Sequence, residues 1–239
     1  MALYFIGIDD TDIETSPGTG QLARRLVVEA VSRGATHRGI TRHQFLVDPQ
    51  IPYTRRNRGV CIAIEWPESI RELEFAIDLI AEWSADGSDP GICIATAGSV
   101  PRQIIDYGRR ATREVLKMQD AIALAAMARI TLRPLGGTGQ GIIGALSCVG
   151  LRASGDDGRF VDLPGLRDLG AHVSIDDLSR IGIEVQHEMT PGARADAGIE
   201  TLGWVRPRLI GGRPVLPVSW SSEHDAWIPL DQKRTRALE

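Results

Sequence analysis

Three carboxylates arrive within four positions of the stretch GIDDTD, as Asp9, Asp10 and Asp12. Like charges this close disfavour one another's ionisation unless a cation or hydrogen-bond donors compensate. Mg²⁺ supplies that compensation through oxygen ligands and leaves coordination positions for phosphates. Asp9, Asp10 and Asp12 are therefore candidate metal ligands, with Asp10 and Asp12 also candidate catalytic carboxylates. Thr11 adds a hydroxyl between them. The following SPGTGQ puts Gly18, Thr19 and Gly20 at the expected start of a helix, where free backbone N–H groups favour an anion. Together these features read as a nucleotide–Mg²⁺ site with Thr11 and Thr19 as nucleotide contacts. A solvated turn with local capping by Asp, Ser16 or Thr19 would need no ligand. The Asp10-Thr11-Asp12 spacing also fits Asp-x-Asp phosphatases, in which one Asp is nucleophile and the other general acid. No later Lys and Asp pair completes that machinery.

Two further stretches suit phosphate. In IPYTRRNRG, Arg55, Arg56 and Arg58 crowd beside Tyr53. The planar guanidinium makes bidentate phosphate contacts and stays charged at any working pH. We read Arg56 as catalytic, neutralising the transferred group, and Arg55 and Arg58 as nucleotide contacts; the alternative is an exposed hairpin with solubilising charge. His37, Arg38, Arg42 and His43 lie just upstream. In LRPLGGTGQGIIGAL, Gly137, Thr138, Gly139 and Gly141 are candidate nucleotide contacts that cradle phosphate by backbone N–H. The alternative is close packing by small residues. Gly139, Gly141 and Gly144 also satisfy G-x-G-x-x-G, and Asp162 lies near the distance expected of a ribose-binding acid, so an NAD(P)-dependent oxidoreductase is a second reading. Asp89-Pro90-Gly91 reads as a turn and carries no chemistry alone.

The elements that must position these residues follow from periodicity. Residues 3–8 read as a buried strand, and helical spacing runs from about 20 until Gly34 stops it. Strands are expected over 39–47, 59–65, 91–96 and 129–135. Helices are expected over 70–83, after Pro101, continuing over 119–128, and after the glycine-rich turn. Beyond Asp156 short strands follow over 159–163, 181–187, 202–206 and 214–218. The alternation predicts α/β or interleaved α+β layers. One part, 1–126, carries the acidic motif and another, 127–239, the glycine-rich turn, with interleaving allowed.

The 239 residues suffice for one large or two small domains, and the net charge of −4 gives no global pull toward nucleic acid or anionic membrane. No apolar run approaches the roughly 20 residues that span a bilayer, and no basic leader is present, so the cytoplasm is expected. Three scattered cysteines, Cys61, Cys93 and Cys148, predict buried thiols rather than a disulfide framework or zinc site. None of this fixes an oligomeric state.

Four stretches in order resemble one family, the archaeal tRNA 2-agmatinylcytidine synthetases, which install agmatine on the wobble cytidine of an isoleucine tRNA. Residues 7–12 match its G-I-D-D-T-D without a gap. Ile51, Pro52, Tyr53, Arg56 and Gly59 match its N-I-P-(aromatic)-x-x-R-x-x-G loop. Ser88, Pro90 and Gly91 match a polar-x-P-G turn, and residues 141–146 resemble its G-x-I-G-A-L. The agreement covers about residues 3–165 and continues weakly to about 220. The resemblance implies a kinase-like ATP site, with aspartates holding Mg²⁺ and phosphates, beside a ferredoxin-like region. Family members phosphorylate the cytidine carbonyl before agmatine attacks. Two departures matter. The family's reactive threonine falls on Gln21, with Thr19 the nearest hydroxyl. Its oligonucleotide-binding barrel and zinc ribbon do not fit within this length. The expectation is an ATP–Mg²⁺-dependent phosphoryl or nucleotidyl transfer to an unidentified small-molecule or RNA acceptor, without tRNA binding by this chain alone. A non-catalytic nucleotide-binding module is the alternative.

Overall fold

The computed structural model describes residues 1–230 apart from 55, 68, 188, 189, 191 and 202. Arg55 and Leu202, which carry expectations from the sequence, lie outside these residues, as do Glu68 and residues 231–239.

Strand β1 (Ala2–Asp9) runs between β3 (Arg58–Trp66) and β4 (Gly91–Thr96), antiparallel to both. Its two faces differ in kind. Tyr4, Ile6 and Ile8 share a core with Val60, Ile62 and Ile64 of β3 and with Ile92 and Ile94 of β4. Helix α1 (Thr19–Ser32) covers that face through Leu22, Ala23, Leu26, Val27 and Ala30, and α2 (Phe75–Trp83) joins it through Ala76 and Ile80. Burying each such Leu, Ile or Val stabilises by roughly 1.5–3 kcal/mol. The opposite face carries small residues: Gly7 of β1, Cys61 and Ala63 of β3, Cys93 and Ala95 of β4. Against it lie α3 (Arg102–Ala111), α4 (Met118–Ala128) and α5 (Gly141–Ser154).

The small face lets α5 approach the sheet backbone. A Cβ at Gly7 would fall on the Ala145 carbonyl, one at Gly91 on the Gly141–Ile142 peptide, and one at Gly150 on the Ile104 carbonyl of α3. All three cysteines are free and buried.

The sheet continues from β3 through β2 (Thr36–Gln44) and β6 (Arg159–Asp162) to β10 (Arg208–Ile210) and β11 (Arg213–Ser221), then β12 (Ala226–Pro229), β9 (Ile199–Glu200) and β7 (His172–Val173). Strand β5 (Thr131–Pro134) closes the other edge beside β4, and β8 (Glu184–His187) pairs with β11. Helix α6 (Ile175–Arg180) begins with a capping box between Ser174 and Asp177. A third core, centred on Trp227, Phe160 and Leu178, fills this later region. The fold is mixed α/β.

Three local expectations shift. The 70–83 segment opens as a 3-10 turn over Ile70–Glu74 before α2. The chain does not continue helical from α3 into α4: Thr112 ends α3 and extended Lys117 precedes α4. Residues 203–206 are irregular and the strand starts at Arg208. Pro207 has no N–H to give a ladder, and its carbonyl accepts from Phe160 N instead at 2.8 Å.

Gly7→Ala should destabilise the protein by about 1–3 kcal/mol or more, because helix and strand must separate to admit one methyl. Gly98→Ala, at a residue whose Cβ position meets nothing within 4 Å, should be near neutral. Denaturant midpoints of the two variants check the contrast.

Candidate functional site

The carboxyl end of β1 delivers Asp9 and Asp10 between two helix N-termini. Helix α1 begins at Thr19 after Gly18, and α5 begins at Gly141 after Gln140. Neither has a side-chain cap hydrogen bond or an acidic residue in its first turn. Their dipole ends therefore favour an anion from outside. Both starts line cavities that share Asp9 and Asp10: Gln140, Gly141 and Gly144 on one side, Gly18, Thr19 and Gly20 on the other.

Backbone geometry turns the acidic loop into that cleft. Asp10 adopts φ 53°, the left-handed region that Asp tolerates better than most residues. Its carbonyl accepts from Asp89 N at 3.2 Å, and Thr11 O accepts from Ala85 N at 3.0 Å. Thr11 is buried; its hydroxyl donates to Thr19 Oγ1 at 3.1 Å, and Thr19 in turn donates to Asp12 Oδ1 at 2.9 Å. Thr54 Oγ1 donates to the Asp12 carbonyl at 3.0 Å, tying the arginine loop to the acidic one. Thr11, Thr19 and Asp12 thus form one chain of hydrogen bonds that locks the loop onto α1.

The carboxyls are electrostatically loaded. Desolvation first, then the neighbouring Asp10 charge and, more weakly, that of Asp12 push Asp9 up to about 8, against a backbone hydrogen bond from Asp10 that lowers it. Desolvation, Asp89 and Asp12 push Asp10 up to about 6. Asp9 presses on α5 so closely that a Cβ at Gly144 would fall on its Oδ2. Glycine there is what admits the carboxylate. Among the described residues no three His, Cys, Asp or Glu side chains gather into a ready-made metal cage. Mg²⁺ seldom uses one, since it binds through one or two carboxylates together with substrate phosphates and water. Asp9 and Asp10, held in mutual repulsion at the cleft, fit that requirement; Asp12 already has one oxygen on Thr19.

Arg56 and Arg58 line the same cleft as Asp10 and Asp12, and Arg42 of β2 lines it too. The glycine-rich turn is placed differently from Arg56. Gly139 N donates to Asp89 Oδ1 at 2.7 Å and Thr138 Oγ1 donates to Asp89 Oδ2. A Cβ at Gly137 would meet the Asp89 carboxylate at 2.9 Å. The cradle over Gly137, Thr138 and Gly139 therefore holds an internal carboxylate, and within this turn Gln140 and Gly141 face the cleft. Its neighbouring strands β5 and β4 are antiparallel, whereas a dinucleotide-binding turn belongs to a parallel βαβ unit. Asp162 lies on β6 and reaches Arg167 at 3.6 Å. The oxidoreductase alternative loses its structural context.

Sequence reasoning missed Asp89, which looked like a turn residue alone; its pairing with the turn spans 49 to 50 positions and leaves no local pattern. It also missed the apolar side of the cleft, formed by Phe45, Ile51, Val115 and Leu116 beside Asn57. His43 is buried between Asp157 Oδ1 at 2.8 Å and Thr41 Oγ1 at 2.9 Å, with burial holding its pKa down. Thr41 has no exposed surface, so this relay anchors β2 to the loop after α5.

The raised carboxyl pKa values have a stability consequence with a definite sign. Below the unfolded value near 3.8 both states are protonated and nothing is lost. As pH rises toward about 6 and then about 8, the folded protein must ionise Asp10 and Asp9 at a cost, so stability falls. In EDTA, melting midpoints compared between pH 5 and pH 8.5 should drop more for the parent than for Asp9→Asn. Equal drops would remove Asp9 as the source.

No protein-family model matches the chain, and no curated protein matches it. Solved structures do match. The crystal structure of TiaS in complex with an isoleucine tRNA and ATP aligns with a TM-score of 0.54 and 28% identity, over 63% of this chain and 36% of that one. Apo TiaS, a tRNA agmatidine synthetase, aligns with a TM-score of 0.53 and 26% identity, over 62% and 35%. The complex of TiaS with the same tRNA, AMPCPP and agmatine gives 0.53 and 25%, over 63% and 36%. The chain therefore spans about a third of the length of these structures. The likeness is structural, and it supports the family resemblance carried by the four sequence motifs.

Proposed function

We propose that this chain binds ATP with Mg²⁺ at the carboxyl end of β1 and transfers a phosphoryl or nucleotidyl group to an acceptor. One observation carries the reading: two helix starts without side-chain caps and an arginine loop line two adjoining cavities that share the carboxylates of Asp9 and Asp10. The solved TiaS complexes with ATP and AMPCPP support the nucleotide. In this reading the triphosphate lies on the polar side, between the start of α1 and Arg56 and Arg58. The apolar side, with Phe45, Ile51 and Leu116, receives an adenine or the acceptor's uncharged part. Asp9 and Asp10 would hold Mg²⁺, which when bound neutralises phosphate charge. Arg56 and Arg58 stabilise charge that develops on the transferred group. Asp12 acts through Thr19, keeping the α1 start aligned. The site belongs to a kinase-like ATP-binding region.

A non-catalytic nucleotide-binding module is the second reading, and a specific observation favours it. Gln21, at the family's threonine position, is exposed on α1, and the Thr19 hydroxyl already donates to Asp12. Nucleotide binding without turnover would identify the module.

Asp10→Asn should abolish Mg²⁺-dependent ATP binding while leaving the melting midpoint in EDTA no lower than the parent's. Titration calorimetry with and without Mg²⁺ checks it, and parental ATP–Mg²⁺ affinity in the variant would remove the metal assignment. Arg56→Ala should weaken ATP binding by about 1.5–3 kcal/mol, the worth of one charged hydrogen bond, and adenosine binding far less. Equal losses for both ligands would assign Arg56 to surface charge alone.

A further inference from the structure

Helix α5 starts at the cleft with Gly141 and Gly144 and carries Arg152 in its last turn, about 16 Å away at 1.5 Å per residue. Arg152 is more than nine-tenths buried. A buried guanidinium is ordinarily paired with a carboxylate. Among the described residues this one is not. Its Nη2 donates only to the Arg38 carbonyl, at 3.5 Å, and its Nη1 has no hydrogen-bond partner. Aromatic faces offset part of the desolvation: the guanidinium carbon lies 4.8 Å from the Phe160 ring centre and 5.8 Å from that of Phe5. The carboxyl end of α5 also favours a cation. Neither supplies a negative charge, and burial draws the Arg152 pKa down.

Arg152 borders a groove that shares no lining residue with the cleft of Asp9 and Asp10. The other cations in its wall are already matched: Arg38 with Glu65 at 2.8 Å and Arg180 with Asp177 at 2.6 Å. His37 lines the groove too, and its Nε2 is buried without a hydrogen-bond partner. Burial holds the His37 pKa down against the opposing Asp162 charge, so at neutral pH the ring is uncharged. With its proton on Nε2 it is a neutral donor. Phe160, Leu163, Ile181 and Pro214 give the groove an apolar lining as well. Leu163, Ile181 and Pro214 come from the chain beyond α5, so the groove exists only where the later region docks on β2.

We propose that this groove binds a small organic carboxylate, its anion on the Arg152 guanidinium and the His37 ring and its apolar body against Phe160, Leu163 and Ile181. One unmatched cation calls for one negative charge, and a carboxylate fits the planar guanidinium fork. A phosphate dianion would need further cations, and Arg38 and Arg180 are engaged elsewhere. The mixed lining, one charged group and several apolar side chains, is that of a small-molecule site. The groove lies a helix length from the cleft, so its ligand is held without reacting. Nothing in the inference depends on the nucleotide reading.

Benzoate, which joins one carboxylate to an apolar ring, is the probe, with benzamide as its uncharged counterpart and inorganic phosphate as the rival anion. Titrated into the ¹⁵N-labelled parent, benzoate should move the amide signals of Gly165, Gly182 and Gly212 and leave those of Asp10 and Gly141 in place. Benzamide should move none of them. Benzoate affinity should fall about tenfold or more in Arg152→Met, which keeps an apolar stem but loses the charged hydrogen bond, and by a smaller factor in His37→Phe. Parental melting midpoints separate ligand loss from misfolding; if Arg152→Met does not fold, the signal pattern of the parent and the His37→Phe affinity decide. Absence of saturable benzoate binding overturns the proposal, as do shifts confined to Asp10 and Gly141 or unchanged affinity in both variants. Phosphate that binds more tightly than benzoate and moves the same three glycines overturns the carboxylate assignment.

Discussion

The contact on which the rest of the structure depends is backbone to backbone: helix α5 lies directly on strands β1 and β4. Gly7, Gly91, Gly141, Gly144 and Gly150 each mark a point where a methyl group would strike a peptide or a carboxylate. Small side chains at Cys61, Ala63, Cys93 and Ala95 keep the surrounding surface flat enough for that approach. Elsewhere the sheet is covered in the ordinary way, by Leu, Ile and Val of α1 and α2 against large residues. The asymmetry has a functional edge. A helix at this distance carries its N-terminus to the end of β1, where Asp9 meets Gly144. A larger residue in any of these places would move the helix start and the carboxylate apart together.

Charge is arranged along the cleft as a gradient. At one end burial and mutual repulsion load Asp9 and Asp10 with protons they would shed to a cation. At the other, Arg42 is held against four other guanidinium groups. Each end is unfavourable in isolation, and a ligand pairing a cation with phosphates would relieve both. Tight hydrogen bonding of Thr11, Thr19, Asp12 and Thr54 fixes the frame between them, so little reorganisation is required of the loop when charge enters.

The sequence made the central sheet legible because β1, β3 and β4 carry continuous apolar runs bounded by glycine, and α1 shows clean helical spacing. The acidic loop and Arg56 were legible for a different reason: charged side chains crowded at strand ends have few structural explanations. The glycine-rich turn was found but its partner was not, since Asp89 lies 50 positions away and resembles any Asp-Pro-Gly turn. The same limit hid Arg159, which has no local pattern until β6 brings it opposite Arg42. Two-residue strands such as β7 and β9 have no period to read. Docking of the later strands onto β2 is a tertiary outcome, and local propensity does not encode it.

Asp89 has a further consequence. Its amide holds the Asp10 carbonyl while its carboxylate holds Gly139 N and Thr138, so one residue joins the acidic loop to the turn that leads into α5. A tethered carboxylate competes for those donors at an effective concentration in the millimolar range or above. Any solute anion seeking the Gly139 amide therefore meets a resident rival that never diffuses away. The turn discriminates by strength: weakly bound anions at ordinary concentrations leave it undisturbed, and only a ligand anchored elsewhere in the cleft gains enough to dislodge the resident.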